Sequence, residues 1–120
     1  MVAPFFMIRR ITVKATIYNK ETGKYLLVKS FPNFLSWGMV GGGVKKSEQL
    51  KTALFREIKE ELGFNISEFI DSIEPKGIKE YKYGFYTNEV HLFSVVVKEL
   101  PPITFSWEIL DHKWTSLPVE

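Results

Sequence analysis

Three glutamates, Glu57, Glu60 and Glu61, stand close together beside Arg56, and a run of three glycines, Gly41, Gly42 and Gly43, precedes them. On a helix turning about 100° per residue, the three carboxylates fall within an arc of about 100°. Like charges at these spacings repel by about a few tenths of a kcal/mol each, and acids in a last helical turn oppose the helix dipole. Departures of this kind from local rules often mark function. A hard divalent cation removes both conflicts, because clustered carboxylate oxygens suit Mg²⁺ or Mn²⁺. A solvated acidic helix face accounts for the same three residues without any chemistry.

The elements that must position these groups are readable from the pattern. Ser47 fits a helix N-cap, and Glu48 sits where the dipole favours an acid. Leu50, Leu54, Ile58 and Leu62 recur every four residues, and Phe55 widens that apolar stripe. Gly63 suits the left-handed position after a helix, with Phe64 folding back onto the last turn. The spacing predicts a helix over residues 47–62. The glycine run just before it permits close approach of a ligand to the main chain.

Upstream, Ile11, Val13, Ala15 and Ile17 alternate with Thr12, Lys14 and Thr16, as in a half-buried strand. Residues 19–24 read as a hairpin turn, residues 25–28 as a second strand, and residues 34–37 as loop or short strand. Downstream, Phe69, Ile70 and Ile73 suggest a strand ending near Pro75. Residues 78–86 read as a strand or hairpin arm, and residues 90–97 as a central strand covered on both faces. Residues 107–114 are the last strand candidate. Many strands around one strong helix give an α+β expectation, a mixed sheet with helical cover. The 120 residues suit one domain, 1–120.

The full spacing adds a resemblance. Gly42, Glu48, Arg56-Glu57, Ile58, Glu60-Glu61, Gly63 and Phe64 fill every defining position of the Nudix box, here residues 42–64. A motif this long and dispersed is far more specific than a short glycine pattern. Similarity to the Nudix (MutT-like) hydrolases implies an α/β/α sandwich. It also implies a Mg²⁺-dependent pyrophosphohydrolase, with Mn²⁺ an alternative ion, acting on a nucleoside triphosphate or another nucleoside diphosphate derivative.

By that resemblance Glu57, Glu60 and Glu61 hold the metal, and the carbonyl of Gly41 adds a ligand. Arg56 pins a glutamate or meets phosphate. Glu48 is a structural acid at the helix start. Glu89 is the candidate general base from outside the box. Trp37, Phe34, Tyr81 and Tyr83 are candidates to stack on a base, with Lys79 or Lys82 meeting phosphates. His91 and His112 read as packing or edge residues. Three positions depart from the family pattern: Val40 replaces a usual proline, Lys45 an acid and Ser47 a glycine. Lys45 adds positive charge near the phosphate path. The second covering helix of many relatives is reduced or absent, because the chain stops soon after Trp114. A nucleotide-binding sensor that keeps the fold without catalysis is the competing reading.

Composition bounds the rest. Net charge is only +2, so no strong nucleic-acid field is indicated, while a small anionic substrate is compatible. Absence of cysteine excludes disulfides and thiol chemistry and fits a cytoplasmic setting. No apolar run is long enough to span a membrane. Residues 1–8 are apolar before Arg9-Arg10, the reverse of a secretory signal. Phe5 and Phe6 are left unexplained, and with only one strong helix to cover the sheet they suggest a homodimer.

Overall fold

The computed structural model describes residues 8–30 and 37–116. The alternating segment forms β1, Ile8–Asn19, and the turn after it leads into β2, Lys24–Ser30, with Asn19 paired to Lys24. β3 is Val40–Gly43, α1 is Leu50–Leu62, and a single 3₁₀ turn covers Ile66–Glu68. β4, Ile70–Tyr83, and β5, Tyr86–Val97, form a long hairpin, and β6 is Ile109–Thr115. The sheet runs β4-β5-β1-β2-β6, with β3 also paired to β1. β1 and β5 are parallel and the other pairs antiparallel, so the sheet is mixed as expected.

Alternation decides where the core lies. Val13, Ala15 and Ile17 of β1 face the same side as Leu26 and Val28 of β2 and Phe93, Val95 and Val97 of β5. Against them α1 lays Leu54, Ile58 and Leu62, all fully buried, and Ala53, while Leu50 and Phe55 pack at the margin. Each such leucine or isoleucine contributes about 1.5–3 kcal/mol through burial.

The helix begins later than its sequence suggests. Gln49, not Ser47, is the N-cap, and Ser47 has φ of 66°. Residues 45–48 instead close on themselves: Glu48 N–H donates to the Lys45 carbonyl at 3.0 Å, and the Glu48 carboxylate accepts from Lys45 N–H at 3.0 Å. That turn uses up the polar groups that would otherwise start the helix. The other end follows its pattern. Gly63 is left-handed, its N–H donates to the Lys59 carbonyl at 2.9 Å, and Phe64 is buried edge-on to Phe69.

One further segment adds to the local reading and one departs from it. The glycine run forms strand β3, which lies on β1 more closely than a side chain allows. A Cβ on Gly41, whose φ is 141°, would stand 2.0 Å from the Val13 carbonyl oxygen. β4 continues through Pro75, where an irregular register between Pro75 and Gly77 absorbs the break. β4 is an edge strand, which tolerates the missing donor.

Among the described residues α1 is the only α-helix, in line with a reduced second cover. Residues 98–108 fold back over its end: Thr104 N–H donates to the Leu62 carbonyl at 3.1 Å and Ser106 N–H to that of Glu61 at 3.0 Å. Phe5, Phe6, Phe34 and Leu117-Pro118 lie outside the described residues.

Candidate active site

β3 crosses β1 so that Gly41 pairs with Lys14 and Gly42 with Val13, and α1 rests on β3. This crossing brings the acidic helix face onto the glycines. The Gly41 N–H donates to Glu61 Oε1 at 2.8 Å. A Cβ on Gly42 would stand 2.5 Å from the Glu57 carboxyl carbon, so only glycine leaves room for that carboxylate. Glu57, Glu61 and Glu108 then share a cavity of about 360 Å³ with Arg10, Lys14 and Asn88.

The charges in this cavity are poorly balanced. Glu61 is only 7% exposed. Burial pushes its carboxyl up to about 7, the Gly41 N–H and Lys14 counteract in part, and Glu57 and Glu108 add to the rise. Burial lowers the Lys14 ammonium, opposed by Glu61 and Glu57. Lys14 Nζ donates to the Gly41 carbonyl at 3.3 Å.

Arg56 organises the helix side. Its Nε and Nη2 donate to the two oxygens of Glu48 at 2.8 and 2.9 Å, Nη1 reaches Glu57 at 2.8 Å, and Nη2 also meets the Gly43 carbonyl at 2.9 Å. The Arg56 fork and the Lys45 N–H hold the Glu48 carboxyl down at about 2. These are bidentate, charge-assisted bonds that fix side-chain geometry. Of the two roles open to Arg56, the structure shows it gripping glutamates.

The remaining candidates fall in different places. Glu60 is half exposed and outside the cavity lining, 3.3 Å from Arg56 Nη1. Glu89 is outside the cavity lining and engages His91 and Arg9, which hold its carboxyl below the usual range, His91 contributing most. Trp37 has the ammonium groups of Lys29 and Lys113 over its ring, 4.7 and 4.5 Å from the ring centre. Lys45 lines a neighbouring basic cavity of about 450 Å³ with Arg9, Arg10 and Lys46. Tyr81 is paired across the hairpin with Asn88 of the main cavity, and Lys79 with Val90. Lys82 pairs with Glu80 at 3.3 Å, and Tyr83 is exposed near the hairpin turn. His91 bonds Glu89 at 2.6 Å, and His112 stacks on Phe105.

Sequence reading missed Glu108, Lys14, Arg10 and Asn88. Glu108 had one signal, an acid at the start of the last strand pattern. Lys14 had none, because alternation marks it as a solvent-facing residue.

Among the described residues, no three Asp, Glu, His or Cys side chains already stand as a ready metal cluster. The oxygen-bearing residues that line the cavity together include Glu57, Glu61 and Gly41, with the Gly41 N–H on the Glu61 carboxylate and its carbonyl accepting from Lys14. All offer hard oxygens, and burial disfavours the charged form of Glu61, which a bound cation would offset, so the residues fit a hard divalent cation.

Comparison with known proteins gives the family. A nucleoside triphosphatase, NudI, from an Enterobacter species is 30% identical over 112 residues, covering 81% of this chain and 76% of the relative. The Escherichia fergusonii NudI is 34% identical, covering 79% and 74%. In fold, the chain is similar to the E. coli dihydroneopterin triphosphate pyrophosphohydrolase, with a TM-score of 0.74 at 21% identity over 91% of this chain and 83% of that one. It is also similar to a C. elegans Ap4A hydrolase, with a TM-score of 0.70 at 20% identity over 88% and 78%. The NUDIX domain family model matches residues 8–119, and with the glycine-seated glutamates in place the chain belongs to the Nudix hydrolase family.

Proposed function

We propose that the chain hydrolyses the phosphoanhydride linkage of a nucleoside triphosphate, or of another nucleoside diphosphate derivative, with Mg²⁺ or Mn²⁺ as cofactor. The observation that carries this reading is the pair Glu57 and Glu61, held on the glycine strand in one cavity that also presents Arg10 and Lys14. One side offers anionic oxygen to a cation, and the other offers cations to phosphate. The NudI relatives, named as nucleoside triphosphatases, support the substrate class.

In this reading Glu57, Glu61 and the Gly41 carbonyl hold the metal, and Glu60 joins from outside the cavity lining. When bound, the divalent ion neutralises phosphate oxygens and lowers the pKa of a water. Arg56 keeps Glu57 in place. Arg10 meets the phosphates inside the cavity, and Lys45 from the adjoining basic cavity. Glu108 lines the cavity and takes the water's proton, a task to which Glu89 is poorly suited because it is already bound to Arg9 and His91. Tyr81, beside Asn88, is placed to stack on a base, with Lys82 and Tyr83 further along the hairpin. Trp37 already has the ammonium groups of Lys29 and Lys113 over its ring. No helix among the described residues is long and apolar enough to cross a membrane. A two-fold homodimer in the cytoplasm completes the proposal, and sedimentation at micromolar concentration checks the mass.

The test is a nucleotide panel incubated with Mg²⁺, reading release of pyrophosphate and monophosphate. Turnover that vanishes in chelator and in Glu61→Gln supports the reading. Nucleotide binding without turnover by the metal-loaded protein replaces it with the sensor reading.

A further inference from the structure

Lys14 is a half-buried lysine whose neighbours are unusual. It lines the cavity with Glu57 and Glu61, and both acids raise its pKa against the lowering by burial. Yet among the described residues it makes no ion pair within 4.0 Å. Its one hydrogen bond goes to the Gly41 carbonyl oxygen, which belongs to the same donor set as the two carboxylates. Strand β1 fixes this position, because Lys14 is directly opposite Gly41 in the β1–β3 ladder. A buried ammonium normally needs a partner to offset its desolvation. Here the carbonyl and the field of two carboxylates supply that role.

We propose that Lys14 is an internal counter-ion of the metal site, competing with a divalent cation for the Glu57, Glu61 and Gly41 oxygens. This rests on the reading of those oxygens as the metal site and adds a cost to filling it. A divalent ion must take the Gly41 carbonyl from the ammonium and settle near a resident positive charge. A nucleotide supplies phosphate oxygens that can receive the released ammonium, so metal binds more tightly with nucleotide than alone.

The test is calorimetric titration of Mn²⁺ into metal-free protein, which reads binding without turnover. Lys14→Met removes the charge and keeps the chain length, Lys14→Arg keeps the charge, and Glu61→Gln removes a proposed ligand. The expected result is a Kd at least about tenfold lower for Lys14→Met than for wild type, since a unit charge a few Å away is removed. Lys14→Arg stays close to wild type, and Glu61→Gln loses binding. If Lys14→Met is misfolded by thermal melting, Lys14→Gln makes the same comparison. Equal or weaker binding by the neutral variant overturns the counter-ion, and loss of binding in Glu61→Gln alone leaves the metal site standing. No binding to wild type or to the neutral variant overturns both.

Discussion

Arg56 grips Glu48 with two donors, at 2.8 and 2.9 Å, across eight residues of chain, so the turn before the helix is tied to the helix's acidic face. The same guanidinium holds Glu57 at 2.8 Å. A lysine has neither the fork nor the span to serve Glu48, Glu57 and the Gly43 carbonyl together. Arg56→Lys should therefore reduce kcat/KM about 10–100-fold, the usual effect of losing an outer partner of a metal ligand. It should also lower the melting temperature. Steady-state kinetics and thermal melting check both.

The two glycines under α1 should fail differently. Gly42→Ala puts a methyl into the Glu57 carboxyl, 2.5 Å from its carbon, so kcat should fall at least about tenfold with the fold kept. Gly41→Ala meets the Val13 carbonyl oxygen at 2.0 Å with φ at 141°, so the β3–β1 pairing itself should loosen. Circular dichroism and hydrogen exchange of β3 amides separate the two outcomes.

Stability without metal should depend on pH through Glu61. Its folded carboxyl lies at about 7 against 4.5 for a free glutamate, so the folded state holds the proton more tightly than the unfolded chain. That contribution is fully present below about pH 4.5 and is lost as pH rises through 7, on the order of 3 kcal/mol. Glu48 has the opposite sign: held at about 2, it supports the fold above pH 4.5 and stops doing so as pH falls through 2. Melting in chelator should decline from pH 5 to 8 in the wild type and stay nearly flat in Glu61→Gln.

Glu108→Gln should lower kcat more than Glu89→Gln. Glu108 opens into the main cavity, whereas Glu89 is taken by Arg9 and His91. A drop of about 10²-fold for Glu108→Gln, with the acidic limb of the rate profile altered, is the expected signature of a general base. An unchanged rate for Glu108→Gln places the base elsewhere.

Local rules made α1 and its acids legible. Leu54, Ile58 and Leu62 are buried as their spacing implies, and Gly63 ends the helix as a left-handed glycine should. Legibility stopped where distant segments meet. Ser47 fits an N-cap on its own, but Glu48 closes the turn with Lys45 and Arg56 and moves the helix start to Leu50. Lys14 alternates as a surface residue until β3 crosses it. Glu108 reaches the cavity only because residues 98–108 pack across the end of α1, through Thr104 and Ser106. None of these contacts has a period or a motif.

The parallel pairing of β1 with β5 also has a kinetic side. Ile8 meets Tyr86 and Asn19 meets Val97, so the centre of the sheet joins chain segments that are far apart in sequence. The β1–β2 and β4–β5 hairpins close short loops and can form early. Joining them requires a large loop-closure entropy before the ladder returns it, which slows folding. Arg10 and Asn88 are neighbours in that late ladder. The pocket wall they share is therefore among the last parts of the molecule to assemble, and a partly folded chain that already carries α1 and its acids would still lack the wall opposite them.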